Sequence, residues 1–207
     1  MRLARLQSYD FVKRVIDVLA SGFGLLVLLP LLLGTAFAVM VYLGHPVIFS
    51  QPRPGLGGRV FTLHKFRTMR IPDPANGSVT DEQRLTRFGL WLRSTSLDEM
   101  PTLWNVLKGD MSLVGPRPLL VEYLDRYSPE QARRHEARPG VTGLAQVSGR
   151  NALTWQEKFR LDVEYVDTRS LTLDLSILAR TAKSVLTRQG ISADGHMTAR
   201  KFGESDA

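Results

Sequence analysis

Asp98 and Glu99 are two adjacent carboxylates set among cations. Arg93 precedes the pair, and Gly115-Pro-Arg-Pro118 follows it, with Arg117 held between two prolines. A carboxylate can attack phosphorus, and a guanidinium on a stiff loop can hold a phosphate by two parallel hydrogen bonds. The combination points to phosphoryl chemistry. The pair alone does not decide it, because acidic residues are favoured in the first turn of any helix by its dipole.

The local spelling predicts a helix for the pair to sit on. Ser96 can N-cap, Glu99 three residues later completes a capping box, and Gly109 ends the helix after Lys108. Upstream, Val47 to Gln51 and Arg59 to Met69 read as two strands joined by the glycine-rich turn 52–58. Phe61, Leu63, Lys65 and Arg67 share one face of the second strand, so apolar anchoring gives way to two cations at its end. Phosphate binding and a solvated edge explain Lys65 and Arg67 equally well. Asp81 to Arg93 reads as a helix with Leu85, Phe88 and Leu92 on one face, preceded by a proline- and glycine-bearing loop. Ser128-Pro129 opens a short helix that runs to Arg138, and Thr154 with Glu157 is a second capping box, opening a helix to about Asp167. Leu173 to Gln189 is amphipathic, with Leu175, Leu178 and Ala182 on one side.

Composition narrows the chemistry. The 207 residues hold no cysteine, and His45, His64, His135 and His196 show no metal-ligand spacing, so a transition-metal enzyme is disfavoured. The net charge of +7 suits nucleic acid, an anionic membrane or a phosphorylated substrate. Nucleic acid is disfavoured because aromatic residues do not interleave with the basic ones. The segment from Val18 to Leu43 carries no charge and as a helix would reach roughly 39 Å, beyond the hydrocarbon core of a bilayer. Arg2, Arg5, Lys13 and Arg14 precede it, and Arg53, Arg59, Lys65 and Arg67 follow it, so both flanks carry the cationic mark of the cytoplasmic side. Pro30 breaks the hydrogen-bond ladder midway and leaves two arms too short to cross alone. A re-entrant helix satisfies both flanks; a kinked span and a cleaved signal peptide are the competing readings.

Taken in order, several long motifs resemble the bacterial sugar transferase family, and more narrowly its small monotopic phosphoglycosyl transferases. They are Lys13-Arg14 before a membrane segment interrupted at Pro30, Lys65-Phe-Arg-Thr-Met69, Arg93 through Asp98-Glu99 to Pro118, Arg138-Pro-Gly-Val-Thr-Gly-Leu-Ala-Gln-Val-Ser-Gly-Arg150, and Leu161-Asp-Val-Glu-Tyr-Val166. The resemblance covers roughly Lys13 to Gly190. Met100, Leu144 and Leu29 depart from the commoner residues at their positions.

The resemblance implies a reaction. A UDP-sugar gives its phosphosugar to polyprenyl (undecaprenyl) phosphate, releasing UMP and starting assembly of a glycoconjugate such as exopolysaccharide or O-antigen. It further implies Asp98 as nucleophile and Mg²⁺ contact, Glu99 as its catalytic partner, and Arg93, Arg117 and Arg150 as phosphate or nucleotide contacts. Direct transfer in a ternary complex and a non-catalytic membrane scaffold are the alternatives. The expected fold is α+β and mostly helical. It comprises a basic segment with a re-entrant membrane helix (1–45), a cytoplasmic catalytic domain with amphipathic interfacial helices (46–190) and a tail (191–207), on the bacterial inner membrane. Inner-membrane lipids are the expected surroundings, and a homodimer is compatible with the sequence.

Overall fold

The computed structural model describes residues 2–77, 79–149, 152–187 and 202. The fold is mostly helical, as the sequence predicts, and holds a second small sheet besides the expected hairpin.

Two helices open the chain, α1 (Arg2–Val27) and α2 (Leu29–Leu43), and meet at an angle of 63°. Pro30 sits in the first turn of α2, where its missing N–H and its ring break the ladder from α1 and place the bend at Leu28. Among the described residues no single helix is long and apolar enough to cross a membrane, whereas the bent pair together is, by length and composition. The outward side of the pair is apolar. Phe11, Phe23 and Leu26 of α1 and Leu33, Phe37 and Tyr42 of α2 are each more than 60% exposed, an apolar surface that water disfavours.

The inner side of the pair is tied down by its charges and small residues. Lys13 pairs with Asp174 at 2.7 Å, Arg14 donates to the carbonyls of Val106 and Leu107, and Asp17 accepts from the Leu113 N–H at 3.0 Å. Val39 of α2 is fully buried against Phe66 and Leu92.

The hairpin joins β1 (Ile48–Pro54) to β2 (Val60–Phe66) in antiparallel register from Ile48↔Phe66 to Pro54↔Val60. Next come α3 (Asp81–Arg84) and α4 (Arg87–Ser94). The single helix expected over 81–93 is thus two helices. Thr80 boxes the first with Gln83, while Leu85 turns extended to bridge Met69, and the Thr86 side chain caps the second at Gly89.

The acidic pair does not begin a capped α-helix. Ser96 lies in the left-handed region with φ 56° and makes no capping bond, residues Leu97–Glu99 form a 3₁₀ turn, and α5 (Thr102–Lys108) starts only after Pro101. Pro101 would lie inside a helix begun at Ser96, where its missing N–H and its ring break the ladder, and Glu99 is drawn away by cations described below. The stop at Gly109 holds, with φ 97°.

The chain continues through β3 (Ser112–Val114), α6 (Pro129–Ala132), β4 (Gly140–Thr142), α7 (Leu144–Ser148), α8 (Trp155–Thr168) and α9 (Leu171–Thr187). Strands β3 and β4 pair in parallel. The box of Thr154 and Glu157 opens α8 as its spelling predicts, and Ser128 with Gln131 boxes α6, which passes into a 3₁₀ turn at Arg133. Val114, Leu144, Leu161, Tyr165 and Ile177 form the core between these elements. The buried face of α9 runs through Asp174 and Ile177, while Leu175 is exposed.

Candidate active site

Three elements bring the acidic pair and its cations together. The 3₁₀ turn before α5 presents Asp98 and Glu99, β2 brings Lys65, and the loop after β3 brings Arg117. That loop is pinned where it leaves the sheet. Gly115 lies against the Arg138–Gly140 main chain so closely that a Cβ on it would fall 2.2 Å from the Arg138 carbonyl oxygen. Asn105 of α5 donates to the Thr62 carbonyl and accepts from the His64 N–H, locking the helix against the strand that carries Lys65.

Glu99 is held by two cations on one oxygen: Lys65 Nζ at 2.5 Å and Arg117 Nη2 at 2.9 Å. Burial alone would raise its pKa, but the two cations outweigh burial and hold the carboxyl well below the usual carboxylate range. Arg117 gains in return, since Glu99 pushes its pKa up, while burial draws Lys65 down against the pull of Glu99.

Asp98 differs in every respect. It is buried, it makes no hydrogen bond with the described residues, and burial followed by the Glu99 charge pushes its pKa up to about 6 against Lys65, Arg93 and Arg117. Such a carboxylate is largely ionised at neutral pH while keeping its oxygens unspent. Arg93 donates through Nε to the Thr68 hydroxyl at 3.1 Å and lies near enough to Asp98 to oppose that rise.

A cleft opens beside Glu99, lined also by Arg53, Lys65, Thr102, Arg117 and Gly140 among others. Its cationic walls suit a diphosphate. Mg²⁺ binds through one or two carboxylates, several waters and substrate phosphate oxygens. Asp98, with its acceptors unspent, fits that pattern. Among the described residues no three His, Cys, Asp or Glu side chains form a preformed cage.

Asp98, Glu99, Arg93, Lys65 and Arg117 therefore come together. Arg67 does not join them. Its guanidinium donates to the carbonyls of Leu43, Gly44 and His45, and so closes the C-terminal end of α2 rather than facing the cleft. Arg150 lies outside the described residues, and Pro30 marks the helix bend.

The structure adds three residues that sequence reasoning missed. Arg53 lines the cleft and donates to the Pro118 carbonyl at 3.3 Å; it falls in the stretch read as a turn, whereas β1 runs on to Pro54 and carries it. Arg134 and Asp162 form a buried ion pair at 2.7 Å, and Arg134 Nη2 donates to the Arg117 carbonyl at 2.7 Å. No local spelling announces that pair.

Comparison with known proteins identifies the family. A family model described as bacterial sugar transferase matches residues 8–188. The chain is similar to an uncharacterized sugar transferase, EpsL, of Bacillus subtilis, with 51% identity over 192 residues covering 92% of this chain and 95% of that protein. It is also similar to a UDP-glucose:undecaprenyl-phosphate glucose-1-phosphate transferase of Caulobacter vibrioides, 45% identical over 192 residues, 87% of this chain and 72% of that one. An undecaprenyl-phosphate galactose phosphotransferase of Salmonella typhimurium is 38% identical over 202 residues, which is 89% of this chain but 42% of that protein. The chain is a transferase and belongs to the bacterial sugar transferase family.

Proposed function

We propose that the protein moves a phosphosugar from a UDP-sugar to a polyprenyl phosphate such as undecaprenyl phosphate, in two displacements through Asp98. The observation that carries this reading is the unlike pair: Glu99 held ionised by Lys65 and Arg117, and Asp98 buried beside it with its oxygens unspent.

In the first displacement an Asp98 carboxylate oxygen attacks the phosphorus that bears the sugar. A P–O bond to that oxygen forms, the bond bridging the two phosphates breaks, and UMP leaves with the electron pair. In the second, a phosphate oxygen of the polyprenyl acceptor attacks the same phosphorus and releases the Asp98 carboxylate. Arg117, Lys65 and Arg93 offset the anionic charge that gathers there. Glu99 is a positioning residue in this scheme, because a carboxyl held so far below neutral pH stays ionised and gives up no proton. Mg²⁺, held by Asp98 with the substrate's phosphate oxygens, would supply further charge neutralisation.

The acceptor's phosphate lies at the headgroup level of a bilayer, which gives the bent helix pair its purpose. The apolar outer side of α1 and α2 suits a re-entrant hairpin in the inner leaflet, with Arg14 and Lys65 both on the cytoplasmic side.

The test is incubation of the protein with UDP-glucose or UDP-galactose and Mg²⁺, without acceptor. UMP release and a phosphosugar adduct on Asp98, found by mass spectrometry, are expected. UMP appearing only when polyprenyl phosphate is added, with no adduct after acid quench, would make direct transfer in a ternary complex the mechanism instead.

A further inference from the structure

Phe202 lies beyond residues 8–188, the stretch shared with the family, yet it is held on all its functional groups. Its ring meets Phe159 edge-on at 5.0 Å, Tyr123 edge-on at 5.6 Å, Trp155 at 5.6 Å and Tyr127 in a stack at 6.1 Å. Its N–H donates to the Tyr123 hydroxyl at 3.2 Å, and Arg126 Nη1 donates to its carbonyl at 3.0 Å. Ring and main chain are thus both recognised, which is how a docked peptide side chain is bound.

The inner wall of this aromatic recess reaches the site. The rings of Tyr127 and Phe159 each lie 5.8 Å from the Arg134 guanidinium carbon. Arg134 is buried, pairs with the buried Asp162, and donates to the Arg117 carbonyl. An ion pair and a cation–π contact both strengthen as water is excluded. Phe202 packs against both the Tyr127 and the Phe159 ring.

We propose that Phe202 is a positioning residue: by filling the recess it shields the Arg134–Asp162 pair, and that pair fixes the main chain from which Arg117 reaches the donor's diphosphate. The tail thereby tunes donor affinity in this chain with a part the shared catalytic stretch does not contain. The inference rests on the phosphate-binding role of Arg117 stated above.

Calorimetric titration with UDP, on the full-length protein and its Phe202→Ala, Phe202→Trp and Arg126→Ala variants, tests it. Phe202→Ala is expected to weaken UDP binding about threefold to tenfold, equivalent to ~0.7–1.4 kcal/mol. Phe202→Trp should restore the affinity, and Arg126→Ala, which removes the bond to the Phe202 carbonyl, should weaken it in the same direction. Equal affinity in wild type, Phe202→Ala and Arg126→Ala overturns the tail's role and leaves the phosphate site standing. Failure of the wild type to bind UDP overturns the phosphate reading, and the tail's role with it.

Discussion

Asp98 and Glu99 are neighbours in the chain and lie on opposite sides of the ordinary carboxylate range. Glu99 accepts from Lys65 and Arg117 on a single oxygen and is held far down; Asp98, buried and without a hydrogen bond from the described residues, is pushed up to about 6. One peptide unit separates a locked charge from a titratable one.

The pH profile follows from Asp98. Below about 6 it is protonated and a poor nucleophile, so kcat/KM should fall as pH drops through that value. Glu99 stays ionised over the same range and contributes no limb. A profile flat from pH 7 down to pH 5 would exclude Asp98 as the attacking group.

Asp98→Asn separates chemistry from stability. The folded chain binds the Asp98 proton more tightly than the unfolded chain does, so the ionised carboxylate destabilises the fold above pH 6 and costs nothing below about pH 4. The variant should be inactive yet more stable at pH 8 by about 1–3 kcal/mol. The gain should vanish at pH 4 in denaturant titrations. Full activity in this variant would remove the 3₁₀ turn from the active site.

Glu99→Gln keeps the shape and removes the charge that gathers Lys65 and Arg117. Activity should drop by ~10-fold or more, and the thermal midpoint should fall with it at neutral pH, because Lys65 and Arg117 are left without the charge that holds Glu99 ionised. Arg117→Lys should show a loss of similar size, about tenfold, since one ammonium cannot reach both Glu99 and a phosphate as a forked guanidinium does. Wild-type kinetics in Arg117→Lys would reduce residues 115–118 to a structural turn.

Mg²⁺ removal by a chelator should abolish turnover reversibly and leave the circular dichroism spectrum unchanged, because the ion would be held jointly with substrate and not by a protein cage. Unfolding on chelation would point to a structural metal instead.

Topology is open to labelling because the chain has no cysteine. Ser8→Cys and Ala75→Cys should both resist a membrane-impermeant thiol reagent in intact cells and react after permeabilisation. Labelling of the Ser8 variant alone in intact cells would establish a spanning helix.

Local grammar was legible in the sequence, and long-range pairing was not. The bend at Pro30, the stop at Gly109 and the box of Thr154 and Glu157 depend on residues within one helical turn, and all three appear. Ser96 and Glu99 spell the same box, but Glu99 meets Lys65 and Arg117, 34 and 18 residues away, and two charge-assisted bonds prevail over one cap. Arg67 shows the converse failure. At the end of a strand it suited a phosphate or a solvated edge, and placing it among the phosphate ligands failed because it satisfies carbonyls at the C-terminal end of α2. Arg53 and the Arg134–Asp162 pair were invisible because their partners are set by tertiary contact alone.

The clamp of Lys13, Arg14 and Asp17 onto Asp174, α5 and β3 fixes α1 to the elements that carry the active site. On the membrane reading proposed above, the catalytic cleft then rides at one height over the bilayer, and the lipid acceptor finds it by lateral diffusion. Turnover would accordingly follow the mole fraction of acceptor in the leaflet rather than its amount per volume, and diluting vesicles of fixed composition would leave the rate per enzyme unchanged.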